Sequence, residues 1–199
     1  MNIIKSIKSN LGFIITLVVM SILIFNPDAK ALLITGLMKT GLFTPNVGEL
    51  QSNSPEETSN SKPLVESANF ISSEGVAIDL ANLKGKVIFL NFWTTWCPPC
   101  IAEMPSVNSL YNKFKDNSNV VFVMADADSD FKTSTAFMKK KKFALPVYIP
   151  AGQMPAQLFR GNLPTTIIIS KKGEIVYSHE GMANYNSPKM EKFLTELAK

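Results

Sequence analysis

Hydrophobic and polar positions are distributed unevenly along this chain, and their spacing marks out its elements. From Leu11 to Phe25 the residues are almost all apolar, preceded by Lys5 and Lys8 and closed by Asn26-Pro27-Asp28. As a helix this block measures about 22 Å, against about 30 Å for a hydrocarbon layer. Extension back to Ile3 and Ile4, with the lysine stems reaching up to the headgroups, closes the gap. Ala31 to Phe43 is a second apolar stretch, with Leu33, Ile34, Leu37, Met38 and Leu42 near helical spacing. It reads as a segment lying along a membrane surface or as a plain hydrophobic stalk, since Gly36 and Gly41 weaken a helix there. Gln51 to Pro63 offers no side chain suited to a core and reads as a flexible tether.

From Asn69 the pattern becomes that of a folded domain. Phe70-Ile71, a turn at Ser73-Glu74-Gly75 and then Val76 with Ile78 predict a short hairpin, after which Asp79 caps a brief helical turn. The unbroken apolar run Val87 to Phe92 predicts a strand buried on both faces. Pro98 then occupies the first turn of a helix that places Ile101, Met104, Val107, Tyr111 and Phe114 on one side. Asn119 to Met124 reads as a second buried strand and Asp128 to Lys142 as the helix after it. Val147 to Ile149 is a short strand and Met154 to Phe159 a short helix. Thr165 to Ser170 and Glu174 to His179 form an antiparallel pair about Lys171-Lys172-Gly173. Ser187 with Pro188 opens a last helix carrying Met190, Phe193, Leu194 and Leu197 toward the core. Alternating strands and helices followed by a hairpin and a helix predict an α/β fold, a mixed central sheet with helices on both faces. The chain divides into an N-terminal signal segment, residues 1–28, a stalk and linker, 29–68, and a domain, 69–199.

Composition narrows the function classes. A hydrophobic content of 46% over 199 residues is enough for one sizeable core. The formal charge of +4 is modest, and no aromatic-interleaved basic stripe accompanies it, so nucleic-acid binding gains no support. Lys139 to Lys142 is read as a solvated helix end or as a docking patch, and His179 as solvent-facing. By the positive-inside rule Lys5 and Lys8 stay in the cytoplasm and the remainder is exported. Two readings of the N-terminus stay open: a signal anchor, or a signal peptide cleaved near Ala29-Lys30-Ala31. The apolar stretch that follows would make a poor start for a mature chain in water, which favours the anchor.

The chain has two cysteines, Cys97 and Cys100, and they fall at the corner between the predicted strand and helix. Helical residues three apart have Cβ atoms about 5–6 Å from each other, so a slight tightening of the first turn brings two sulfurs into bonding range. Unpaired N–H groups at a helix N-terminus favour a thiolate, whereas a free cysteine of pKa about 8.5 is mostly protonated at pH 7. Cys97 is therefore assigned as nucleophile and Cys100 as its resolving partner, and neither role calls for a cofactor. Zinc would need two further ligands where the chain offers only His179.

The stretch Trp93, Trp96, Cys97 and Cys100, with Pro105 inside the helix, resembles the Trp-x-x-Trp-Cys-x-x-Cys active site of the thioredoxin superfamily, in particular its membrane-anchored TlpA/ResA-like group. The resemblance implies that Pro164 is the family's cis-proline facing the dithiol, with Leu163 before it and Thr165-Thr166 after. It further implies that this loop offers backbone hydrogen bonds to an incoming peptide, beside Trp96. Of the two tryptophans, Trp93 reads as the core residue. Glu103 stands where ResA-like proteins carry an acid and, three residues past Cys100, faces the same side of the helix. Its implied role is to accept the proton of Cys100; the alternative is a solvated carboxylate. Thioredoxin itself has a buried aspartate where this chain has Asn91.

The function these residues imply is extracytoplasmic thiol-disulfide exchange. By resemblance the direction is reduction, with apocytochrome c or another exported thiol protein as substrate and a membrane electron donor of the DsbD/CcdA kind. Two alternatives are weighed. A thiol peroxidase would have Thr94 three residues before Cys97 but lacks the expected proline at Leu90. A copper-binding module resembles proteins with CxxxC and a distal histidine, where this chain has CxxC and His179.

Overall fold

The structure, a computed structural model, describes residues 3–38 and 67–199. Among these, the order is α1 (Ile3–Phe25), α2 (Pro27–Met38), β1 (Asn69–Ser72), β2 (Ala77–Asp79), a 3-10 helix (Leu80–Leu83), β3 (Val87–Trp93), α3 (Pro98–Phe114), β4 (Val120–Asp126), α4 (Phe131–Lys141), β5 (Val147–Pro150), β6 (Thr165–Ile169), β7 (Ile175–Glu180) and α5 (Pro188–Ala198). The proposed tether, 51–63, lies outside the described residues.

The strands make one mixed sheet in the order β2-β1-β5-β4-β3-β6-β7. Every residue of β3 is buried, because the strand is flanked by β4 on one side and β6 on the other and covered on both faces. Its alternation feeds two cores. Val87, Phe89 and Trp93 point toward α3, α4 and α5, while Ile88, Leu90 and Phe92 point to the opposite face. There Leu80 of the 3-10 helix and Leu158 of the 154–159 segment complete the cover. Burying each large apolar side chain of this strand contributes about 1.5–3 kcal/mol. Helical elements thus lie on both faces, with α3, α4 and α5 together on one. Met154 to Phe159 forms a single turn, with Leu158 N–H donating to Pro155 O, in place of the expected short helix.

α4 starts at Phe131 where the sequence suggests Asp128. The Asp126 carboxylate accepts from the N–H groups of Asp128 and Asp130, at 3.1 and 3.0 Å, and folds residues 127–130 into a turn. Asp130 then caps the helix by accepting from Thr133 N–H at 3.1 Å.

α2 packs across the outer side of α3. Ala31 and Ile34 rest on Ile101 and Ala102, together with Phe137 and Met182. Ile101 is therefore buried beneath α2, apart from the main core that holds Met104, Val107 and Phe114. Among the described residues no single helix is long and apolar enough to cross a membrane; α1 and α2 meet that test only as a pair, bent by 91°.

Candidate active site

The site lies at the C-terminal end of β3. Cys97 is the N-cap of α3, with extended backbone (φ −84°, ψ 105°), and Pro98 and Pro99 fill the first helical positions, where a missing N–H costs nothing. Cys97 and Cys100 form a disulfide, with Cα atoms 5.2 Å apart. The Sγ of Cys97 accepts from Cys100 N–H at 3.3 Å, so the helix terminus already points a donor at this sulfur. Cys97 is 4% exposed and Cys100 fully buried. Access to solvent thus favours Cys97 for the first encounter.

The remaining predicted residues fall around this corner. The Leu163–Pro164 peptide is cis. Thr165 pairs with Phe92 in the β3–β6 register, so Pro164 stands one step further along, level with Trp93 and on the dithiol's edge of the sheet. Pro164 O accepts from Gly181 N–H at 2.8 Å, fixing the loop from behind. Leu163 is partly buried against both cores. The Thr165 side chain turns inward, its hydroxyl donating to Asn162 O at 2.7 Å. Trp96 is 61% exposed and its Nε1–H donates to Asp128 at 2.6 Å. Trp93 is fully buried and packs on Phe137, as core.

Glu103 is fully buried, which excludes the solvated alternative. Its Oε1 accepts from Asn91 Nδ2 at 2.8 Å and its Oε2 from Ala183 N–H at 3.2 Å. Burial raises the carboxyl to about 8, and the two hydrogen bonds only partly oppose that rise. The acid therefore exchanges its proton within the working range of thiol chemistry. Asn91 also donates to Thr166 Oγ1 at 2.8 Å, joining β3, α3 and β6 through one amide. Sequence reasoning passed over Asn91 because it cannot ionise. The signal was its position, a lone polar residue in an apolar strand buried on both faces. Buried Tyr177 and Tyr185 have their ionisations pushed upward, first by burial and also by the charge of Glu103.

Comparisons with known proteins agree with this geometry. A profile of the Redoxin family matches residues 58–194. The thiol-disulfide oxidoreductase ResA of Bacillus cereus (strain ZK / E33L) is 41% identical over 114 residues, 56% of this chain and 65% of that protein. This chain thus spans slightly less than two thirds of that relative. ResA of Bacillus thuringiensis subsp. konkukian is 35% identical over 135 residues, 66% of this chain and 76% of the relative. Among solved structures, StoA from Bacillus subtilis has a TM-score of 0.53 at 26% identity, covering 69% of this chain and all of that one. A thioredoxin-family thiol:disulfide interchange protein from Chlorobium tepidum has a TM-score of 0.59 at 20% identity, covering 71% and 100%. That second likeness is one of fold.

Proposed function

Since the chain belongs to the Redoxin family and to its ResA-like relatives within the thioredoxin superfamily, we propose that it is a membrane-tethered thiol-disulfide oxidoreductase acting outside the cytoplasm. The observation that carries this reading is the Cys97–Cys100 disulfide at the N-terminus of α3, with the more accessible sulfur already facing a helix donor.

In the reducing direction the Cys97 thiolate attacks a sulfur of the substrate disulfide, expelling the other sulfur as a thiolate. The Cys100 thiol gives up its proton and attacks Sγ of Cys97. Substrate leaves as a dithiol, and the electron pair it carries away leaves the enzyme as the disulfide seen here. Glu103 is the group assigned to take the Cys100 proton. The exported substrate, apocytochrome c or another thiol protein, meets Trp96 and the backbone of the Leu163-Pro164-Thr165 loop. A membrane donor of the DsbD/CcdA kind then restores the dithiol. The anchor reading draws on the apolar block of α1, which among the described residues reaches the length and apolarity of a span only together with α2, as a bent pair.

Equilibration of the chain in redox buffers tests the direction. A potential near that of thioredoxin, about −270 mV, is the expected result; one near about −120 mV would make the protein an oxidant.

A further inference from the structure

α2 has two apolar sides, and the fold uses one. The inner side, through Ala31, rests on Ile101 and Ala102, and Thr35 Oγ1 donates to Ala102 O at 3.3 Å. The outer side leaves Leu32 74% and Leu33 56% exposed. These leucines follow directly on α1, which exposes apolar side chains from Phe13 to Phe25. The bend of 91° between the helices means that when α1 runs along a membrane normal, α2 lies in the membrane plane.

The corner also gathers positive charge. Asp28, in the first turn of α2, pairs with Lys141 at 3.0 Å and approaches Lys140 at 3.9 Å. Asp28 is four residues before Leu32 and so shares its flank of the helix. Those pairs bring the end of α4, Lys139 to Lys142, to the place where α1 would leave the bilayer. Lys139, Lys140 and Lys142 are exposed there.

We propose that Leu32 and Leu33, with Lys139, Lys140 and Lys142, form a docking surface for a bilayer rich in anionic headgroups, laying the folded domain on the membrane. The inference rests on the anchor reading of α1. The leucines enter the boundary between headgroups and acyl chains, and the lysines stay in the headgroup layer. Screening limits the attraction to charges within about 8 Å of the surface, so the ion pairs that hold this run at the corner are what make it count. Each lysine so placed strengthens surface association about fivefold. α2 is then a spacer between lipid and α3, which fixes the height and orientation of the dithiol at the N-terminus of α3.

The test uses the full chain in vesicles of phosphatidylcholine alone and of phosphatidylcholine mixed with phosphatidylglycerol. Flotation reports anchoring, and energy transfer from the tryptophans to dansyl-labelled lipid reports the distance of the domain from the bilayer. The chain is expected to float with both vesicles and to show stronger transfer on the anionic ones, a gain lost in high salt. The triple variant K139E/K140Q/K142E, which keeps Lys141 for Asp28 and sets no carboxylate against it, is expected to float and to reduce insulin in detergent as the parent does, without the anionic gain. Leu32→Asn with Leu33→Asn is expected to lower transfer on both vesicles. Equal transfer on the two lipids, or a triple variant that behaves as the parent, overturns the docking surface while the anchor stands. Failure to float on either vesicle overturns both.

Discussion

Asn91 and Glu103 meet across 2.8 Å, an amide donating to a carboxylate with neither side chain exposed to water. One strand and one helix, β3 and α3, are tied together by that contact, three residues along the helix from Cys100.

Replacing Asn91 by Ala should remove a donor from both Glu103 and Thr166 and leave their oxygens buried without it. The expected loss of stability is about 1–3 kcal/mol, checked by urea unfolding of the oxidised protein. An effect within error would mean that the amide is incidental.

Glu103 makes stability depend on pH in a definite sense. Its folded value, about 8, lies above the ordinary 4.5, so the folded state binds a proton that the unfolded chain has released. The contribution is complete below pH 4.5 and is lost as pH rises toward 8, at up to about 1.4 kcal/mol per unit. Glu103→Gln, neutral throughout, should flatten that slope and be relatively more stable than the parent above pH 8. Parallel slopes for the two proteins would remove the buried ionisation.

The same substitution should slow disulfide exchange about a hundredfold if the carboxylate relieves Cys100 of its proton. Stopped-flow kinetics of mixed-disulfide resolution, followed against pH, separates this from a fall in stability: the parent should show a limb near pH 8 that the variant lacks.

Cys100→Ser should accumulate covalent adducts through Cys97, read by mass spectrometry after exposure to a disulfide substrate. Cys97→Ser should accumulate far fewer, because Cys100 is fully buried. The reverse outcome would exchange the two roles.

Trp96→Ala removes a side chain that is 61% exposed, so stability should change by no more than about 0.5 kcal/mol. KM for a protein disulfide should rise several-fold while kcat holds. An unchanged KM would take Trp96 out of substrate contact.

The strand, the corner and the helix of the site were legible in the sequence because their signals are local: the apolar run of β3, Pro98 at the first turn, two cysteines one turn apart. What spacing could not show was pairing across the fold. Asn91 finds Glu103 and Thr166 only once β3, α3 and β6 are packed together. The start of α4 was misjudged because the Asp126 carboxylate bonds the backbone of the next residues before a helix begins. The apolar spacing in Ala31 to Phe43 suggested one hydrophobic stripe, yet Leu33 faces outward and the small Ala31 makes the close approach to α3.

The order of the strands has a consequence for life at high local density. β1 lies along β5, and β2 beyond it has only three residues. A margin that short offers a neighbouring copy too few free peptide groups for strand-to-strand coalescence, which leaves the opposite margin, six-residue β7, as the side that crowding would test.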